Sequence, residues 1–167
     1  RAPHFRQQTL QLGKELLTLN RYYEQLININ EHLEENSNDL FAEDELRSFT
    51  QVLILSDTFE QFAQPLMKKL NWPTLFCNTL EVAPDGAITG FRMRCPQSKL
   101  TTVKALQSIG YQTIASGDSY NDLGMIEASK AGFLFRSTEQ IKKDHPEITA
   151  FETYDELFEA IKKAMEE

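Results

Sequence analysis

The sequence predicts an α/β fold in three layers, Rossmann-like, with a parallel sheet in the middle and helices on both faces. From residue 51 onward, short apolar runs alternate with segments of helical periodicity, and this alternation is typical of a parallel sheet. Two of the apolar runs end directly in polar clusters, Ser56-Asp57-Thr58 and Gly117-Asp118-Ser119. Because such sheets bind ligands at the carboxyl ends of their strands, the two clusters mark the expected site.

The composition indicates a globular protein with an acidic surface. The 167 residues are 41% hydrophobic and 25% charged, and 17 Lys and Arg against 25 Asp and Glu give a formal net charge of −8. This field disfavours nucleic acid and anionic membranes as partners, and no apolar run approaches the roughly 18 residues of a membrane span. Cys77 and Cys95 lack the spacing of a zinc site or disulfide framework, which fits a reducing, cytoplasmic setting.

The first fifty residues are predicted to be helical and polar. Apolar residues recur at helical spacing over 5–18 and over 21–33, which predicts two helices. Residues 34–44 are interpreted as a loop or a short, poorly defined helix. The acidic residues from Glu31 to Glu45 favour a solvated linker and helix face over an acidic binding tail. A further helix is expected around 42–49.

The elements after residue 50 follow from apolar runs and helical spacings. Val52–Leu55 is a continuous apolar run, typical of a strand buried on both faces. Pro65 predicts a kink or a first turn in its helix. In chain order we predict a strand at 52–55, a helix at 58–70, a strand at 74–77, a hairpin of 80–82 and 88–94, a helix at 99–109, a strand at 113–115, a helix at 122–129, a strand at 132–135, a helix at 138–143, a strand at 150–151 and a helix at 154–166.

Turn and cap residues set several of these boundaries. Pro84-Asp85-Gly86 separates two alternating segments, which is typical of a hairpin. Gly110 stands where a glycine after a helix is favoured. Thr153 and Glu156 have the spacing of a capping box, which predicts the start of the last helix.

The first polar cluster and Lys99 are candidates for binding a phosphate. The Ser56 hydroxyl and the N–H groups of the following helix are placed to hold a phosphate oxygen, or else Ser56 is simply the N-cap of that helix. Lys99 lies in the first turn of its helix, where the helix dipole disfavours a cation. It is therefore predicted to contact a phosphate as a point charge, the alternative being a lysine that points into water.

The second polar cluster predicts a site for Mg²⁺. Asp118 and Asp122 stand four residues apart after an apolar run, with the Asn121 amide between them. Two carboxylates crowded at a strand end repel one another unless a cation or a lysine neutralises them. Mg²⁺ typically uses one or two carboxylates together with a substrate phosphate.

Taken together, these clusters resemble the haloacid dehalogenase superfamily. Within it the sequence is most similar to phosphoserine phosphatases of the bifunctional phosphoserine phosphatase/homoserine phosphotransferase type. The resemblance covers about 51–158 and rests on LILSDTFEQFAQPLMKKLNWPTLFCNTLEV, ITGFRMRCPQSK and IASGDSYNDLGMIEASKAGFLF. It implies a helical cap remnant over 1–40 and an α/β core domain over 41–167.

The resemblance also implies roles for individual residues. Ser56 matches the hydroxyl that binds the transferring phosphoryl group, and Lys99 matches the lysine that neutralises its charge. Asp118 matches a magnesium ligand, and Asp122 matches the acid that orients the lysine or supports the metal. The implied sets are Lys99 and Asp122 for catalysis, Ser56, Asp57, Lys99 and Asn121 for phosphate binding, and Asp118 and Asp122 for Mg²⁺. The implied substrate is a small phosphorylated amino acid, with hydrolysis of O-phosphoserine or transfer to homoserine; a homodimer is left open.

One departure from this family is large. Its first motif is a strand ending in Asp-x-Asp, which carries the nucleophile, and no Asp-x-Asp occurs in this sequence. We expect the nucleophile segment to be missing from the chain as given, which would then be inactive; the alternative is an inactive scaffold that serves as a binding or regulatory module. In the family that strand lies between those matching 52–55 and 113–116. These two strands must therefore pair with each other, take a strand from elsewhere, or leave a gap.

Overall fold

The computed structural model describes residues 45–166. The predicted cap remnant at 1–40 and the helices expected at 5–18 and 21–33 lie outside the described residues. Residues 45–49 are helical. The strands are β1 (Leu53–Phe59), β2 (Thr74–Val82), β3 (Ile88–Arg92), β4 (Ile114–Gly117), β5 (Ala131–Phe135) and β6 (Ala150–Phe151); the helices are α1 (Glu60–Lys69), α2 (Ser98–Ser108), α3 (Leu123–Ala128), α4 (Glu139–Asp144) and α5 (Tyr154–Glu166), with a 3₁₀ turn at Tyr120–Asp122.

The strands form two three-stranded sheets. β1 pairs with β2 in parallel, and β2 pairs with β3 in an antiparallel hairpin. β4, β5 and β6 form a second sheet, entirely parallel. The α/β class with parallel strands is thus confirmed. Within residues 45–166, β1 and β4 do not pair with each other, so of the three arrangements expected for these strands the described part of the chain shows the gap.

β2 is one long strand where the sequence predicted two short ones. The predicted strands at 74–77 and 80–82 leave out the polar residues Asn78 and Thr79. In the structure Asn78 is only 2% exposed, and its side chain is hydrogen-bonded to backbone groups on both sides. A buried polar side chain with both partners satisfied does not end a strand, so β2 continues through it.

The hydrophobic core lies around the second sheet. Its buried members are Val103, Ala115, Met125, Ile126, Leu134 and Ile141. In contrast, Leu53, Ile54 and Leu55 of β1 are only half-buried, although the apolar run predicted a strand buried on both faces. The physical reason is that β1 has a partner strand on one edge alone among the described residues.

Two helix caps predicted from the sequence are present in the structure. Gly110 has φ +95°, and its N–H and that of Tyr111 donate to the carbonyls of Gln107 and Leu106, closing α2 with a Schellman motif. Thr153 and Glu156 exchange hydrogen bonds as a capping box at the start of α5. Cys77 and Cys95 are free thiols. No helix within residues 45–166 has the length and apolar character to cross a membrane.

Two glycines of the core give a matched test of its packing. A Cβ at Gly132 would lie 2.4 Å from the Ile126 carbonyl oxygen, whereas one at Gly124 would meet Leu100 at an ordinary 3.6 Å. We expect Gly132→Ala to lower the free energy of unfolding by about 1–3 kcal/mol through overpacking. Gly124→Ala, inside α3, should leave stability unchanged or raise it by up to about 1 kcal/mol. Urea denaturation measures both, and equal midpoints would contradict this account of the core.

Candidate active site

The carboxyl end of β1 carries a bulge that includes the first polar cluster. Leu55 pairs with Phe76, but the next paired residue is Phe59, opposite Asn78, so three residues of β1 face one residue of β2. We call Ser56-Asp57-Thr58 the β1 bulge. Bulges of this kind re-aim side chains and are common beside active sites.

Ser56 belongs to this bulge and does not cap the helix. Its hydroxyl oxygen accepts a hydrogen bond from the Thr58 N–H at 3.2 Å. α1 begins later, at Glu60, with Phe59 as its N-cap and no side-chain cap. The N-cap alternative for Ser56 is therefore wrong.

Asp57 faces the start of α2. Its Oδ1 accepts from the Ser98 hydroxyl at 3.4 Å, and its Oδ2 lies 3.7 Å from Lys99 Nζ. The side chain is 47% exposed, so this carboxylate lies at the open rim of the cluster. A carboxylate in this place acts on an anion only indirectly, through the lysine and hydroxyl that it holds.

Lys99 is the centre of the cluster. Its Nζ donates to Asp122 Oδ1 at 2.6 Å, and its side chain is 14% exposed, so the alternative of a lysine pointing into water is wrong. α2 starts one residue earlier, after Gln97, which adopts a left-handed conformation with φ +46°. A non-glycine residue in this region stores strain, and such strain concentrates at functional sites.

Asp122 is buried and hydrogen-bonded on both carboxylate oxygens. Its Oδ1 accepts from the Lys99 ammonium at 2.6 Å. Its Oδ2 accepts from the N–H of Asp118 at 3.1 Å, the N–H of Ser119 at 3.0 Å and the Ser119 hydroxyl at 2.7 Å. Burial by itself would raise the pKa of Asp122; the hydrogen bonds from Lys99 and Ser119 outweigh it and lower the pKa below its ordinary value. The carboxylate is thus ionised at neutral pH and holds the lysine and the loop together.

The loop closes on Asp122 so tightly that Gly117 is required. A Cβ on Gly117 would lie 2.4 Å from both Cβ and Cγ of Asp122. A glycine lets other groups approach its backbone closely. The structure identifies the approaching group as the Asp122 side chain.

Asp118 and Asn121 are exposed beside this loop. The Asp118 backbone is fixed, because its N–H donates to Asp122 and its carbonyl accepts from the buried Ser137 hydroxyl at 2.8 Å. Within the described part of the chain, no hydrogen bond or ion pair occupies the Asp118 carboxylate. A fixed backbone with a free carboxylate suits a metal ligand.

The structure therefore brings Lys99 into contact with both Asp57 and Asp122. Ser56 lies next to Asp57 in the bulge, and Asp118 is bonded to Asp122 through its backbone N–H. It also adds residues that the sequence analysis missed: Asn78, Ser98, Ser119 and Ser137. The available signal for Asn78 was a polar residue in an apolar strand, and for Ser98 and Ser119 their places beside Lys99 and Asp118. Nothing local in the sequence marks Ser137.

The lysine and Asp122 can be tested as a pair. We expect Lys99→Met to raise the pKa of Asp122, because burial then acts without its main opposing partner, and ¹³C NMR titration of the carboxyl group measures this.

The same substitution should lower stability. Leaving the buried Asp122 charge without its partner should cost about 3–5 kcal/mol at neutral pH. In the native chain the lowered pKa means that the carboxylate stabilises the fold above about pH 3.9 and stops doing so as pH falls through the folded pKa. In Lys99→Met, the loss of stability should instead become smaller as pH falls, since protonation of Asp122 removes the unpaired charge.

Lys104→Met is the matched control, since Lys104 is an exposed lysine of the same helix. It should leave the pKa of Asp122 unchanged. An equal rise in both variants would mean that Lys99 is not the group that keeps Asp122 ionised.

Comparisons with known proteins identify relatives of this chain in sequence and in fold. No family model matches the chain. The chain is 42% identical over 121 residues to phosphoserine phosphatase ThrH of Pseudomonas aeruginosa, and 40% identical over 121 residues to phosphoserine phosphatase of Pseudomonas syringae pv. tomato. Both matches cover 72% of this chain, which spans 59% and 51% of the length of these relatives.

Solved structures show the same fold. A substrate-bound phosphoserine phosphatase complex superimposes with a TM-score of 0.58 at 23% identity, over 74% of this chain and 61% of the other. The apo form of a phosphoserine phosphatase gives a TM-score of 0.57 at 24% identity, over 72% and 62%. These structural similarities establish the fold, and the curated relatives show similarity in sequence as well. Over its matched residues, the chain belongs to the phosphoserine phosphatase family of the haloacid dehalogenase superfamily.

Proposed function

We propose that the protein is a phosphoryl-transfer enzyme of the phosphoserine phosphatase type, which hydrolyses O-phosphoserine. The observation that carries this proposal is the Lys99 ammonium, held between Asp122 and Asp57 where the first turn of α2 meets the carboxyl ends of β1 and β4. A fixed, mostly desolvated cation at such an edge is suited to neutralising the charge of a phosphoryl group. The names of the curated relatives support the same substrate class.

The residues of the site divide into those that contact the phosphate and those that orient them. We assign Lys99, the Ser56 hydroxyl and the Asn121 amide to the phosphate itself. Asp122 and Asp57 orient the lysine, because their carboxylates bind its ammonium and would repel an anion. The site thus acts by positioning and charge neutralisation, which is how most phosphoryl-transfer sites work.

The donor set fits Mg²⁺ at Asp118. This carboxylate is exposed, lies on a fixed backbone and is not engaged by other described residues. The Asp122 carboxylate is buried and already accepts four hydrogen bonds, one on Oδ1 from Lys99 and three on Oδ2. We therefore assign Asp122 to supporting the site through the loop. Mg²⁺ would supply further neutralisation of phosphate charge beside Asp118.

We propose that the nucleophile comes from a segment outside this sequence, which contains no Asp-x-Asp. One ammonium contacts a residue after β4 and a residue of the β1 bulge, yet the two strands are not paired in the described part of the chain. We propose that the active protein places a further strand between them, ending in the Asp-x-Asp that the resemblance implies. Such a strand would also satisfy the backbone groups along both open edges. Transfer to homoserine would differ from hydrolysis only in the acceptor that attacks the phosphorylated residue.

The binding step can be tested on the chain itself. We expect residues 1–167 to bind inorganic phosphate in the presence of MgCl₂, measured by calorimetry or ³¹P NMR. Lys99→Met should weaken this binding by at least about tenfold, since a lost charge-assisted contact costs roughly 1.5–3 kcal/mol. Asp118→Asn should weaken the effect of MgCl₂ on phosphate binding. Lys104→Met serves as the control for loss of positive charge and should bind as the native chain does.

Turnover gives a separate test. We expect residues 1–167 to release little or no phosphate from phosphoserine, because phosphate monoester hydrolysis needs accelerations of up to about 10²¹ and therefore an in-line nucleophile. The protein extended by a strand ending in Asp-x-Asp should be active, and adding homoserine as acceptor then distinguishes transfer from hydrolysis. Turnover of residues 1–167 at about 1–10³ s⁻¹, abolished by Asp57→Asn, would overturn this assignment. Phosphate binding without turnover in the extended protein would favour the binding or regulatory module.

A further inference from the structure

Asn78 is a buried polar side chain at the join between two parts of the site. It lies in the middle of β2 and is 2% exposed. Its Nδ2 donates to the Asp57 carbonyl at 2.9 Å, and its Oδ1 accepts from the Arg94 N–H at 3.0 Å. One amide thus joins the β1 bulge to the segment that leads into α2.

The β1 bulge depends on such a partner. Where three residues face one, the strand ladder is interrupted and a backbone group of the bulge is left without its ladder partner. The Asp57 carbonyl is satisfied instead by the side chain of Asn78. A hydrogen bond of this kind contributes about 0.5–1.5 kcal/mol to stability, so it favours the bulged over the regular register.

Arg94 continues the connection to the lysine. Its guanidinium donates to the Ser98 carbonyl at 2.9 Å and to the Thr102 hydroxyl, and it lies over the Phe76 ring, 4.9 Å from the centroid. The Ser98 carbonyl belongs to the first turn of α2, directly before Lys99. The guanidinium therefore anchors the turn from which the lysine extends.

We propose that Asn78, supported by Arg94, is a positioning residue that fixes the β1 bulge against Lys99. Its hydrogen bonds run from the carbonyl of Asp57, through the Asn78 amide, to the backbone of Arg94, and the Arg94 side chain carries the connection to α2. Asn78 itself is bonded to backbone on both sides and acts through the residues that it holds. The inference rests on the proposed function in one respect, that the ligand of this site is a phosphate.

The contacts of Asp57 explain why losing the Asn78 hydrogen bonds would alter the phosphate site. Asp57 contacts the Ser98 hydroxyl at 3.4 Å and lies 3.7 Å from the Lys99 ammonium, both near the limit of useful contact. A small shift of the bulge relative to α2 would break both contacts. The Lys99–Asp122 bond does not depend on the bulge, so the fold should survive while the spacing of Ser56 from Lys99 changes.

The test removes the bridging amide and compares it with another bridging amide far from the site. Asn78→Ala removes both hydrogen bonds. Gln107→Ala is the matched control, because the Gln107 amide bridges the Thr113 hydroxyl and the Ala128 carbonyl at the other end of α2. Measured on the chain in MgCl₂, Asn78→Ala should weaken phosphate binding by about tenfold, and Gln107→Ala should leave it within about twofold even if both lower the midpoint of urea unfolding equally.

A second pair of variants preserves charge and avoids the buried position. Arg94→Lys keeps the positive charge and loses the planar fork that spans two acceptors, so it should weaken phosphate binding several-fold. Arg92→Lys, at an exposed arginine of β3, should not. These variants decide the outcome if Asn78→Ala fails to fold.

An NMR measurement separates this proposal from the proposed function. In Asn78→Ala, the backbone amide signals of the bulge and the Lys99 ammonium signal should shift, and in Gln107→Ala they should not. If the native chain binds no phosphate but these shifts occur, the proposed function is wrong and the positioning role stands. If Asn78→Ala and Arg94→Lys bind phosphate as the native chain does, or the shifts are absent, the positioning role is overturned.

Discussion

The buried ion pair of Lys99 and Asp122 is the interaction on which the rest of the site depends. Taking two charges out of water is costly, and the cost is offset only because each partner is closely held: the ammonium by Asp122 and Asp57, the Asp122 carboxylate by four donors. The pair fixes the distance between the first turn of α2 and the loop after β4. The loop in turn sets the backbone of Asp118, so an ion pair determines where the free carboxylate stands.

The same pair explains how two sheets share one site. β1 and β4 have no ladder between them in the part of the chain that the structure describes, so hydrogen bonds of the usual sheet kind do not align their carboxyl ends. Side chains from α2 do so instead, reaching the bulge of one strand and the loop of the other. The alignment at this edge is therefore electrostatic, and it depends on α2 keeping its place against α3 and β1.

Sequence reasoning succeeded where the signal was local. Apolar runs that end in polar clusters located both loops of the site, and the unfavourable place of Lys99 in a first helical turn marked it as a residue with a partner. The cap at Gly110 and the capping box of Thr153 and Glu156 could be predicted because each involves only residues adjacent in sequence. The features that the sequence did not predict depend on contacts with residues distant in sequence. The bulge at 56–58 is defined only by its pairing with β2. β2 continues through Asn78 because this side chain binds partners 16 and 21 residues away. Among residues 45–166, β1 has a partner strand on one edge only, and this leaves it half-buried. The apolar pattern of a strand does not indicate whether both of its edges are paired.

The acidic character of the cluster has a thermodynamic consequence. Lys99 contributes one positive charge, and Asp57, Asp118 and Asp122 contribute three negative ones, so the group is formally anionic before any anion arrives. An anion that enters must bring cations or protons with it, or it meets repulsion. Linkage then requires reciprocity: a cation that strengthens the binding of the anion is itself bound more tightly by the same factor when the anion is present. The anion affinity of this chain is therefore a joint property of the protein and of the ions dissolved with it.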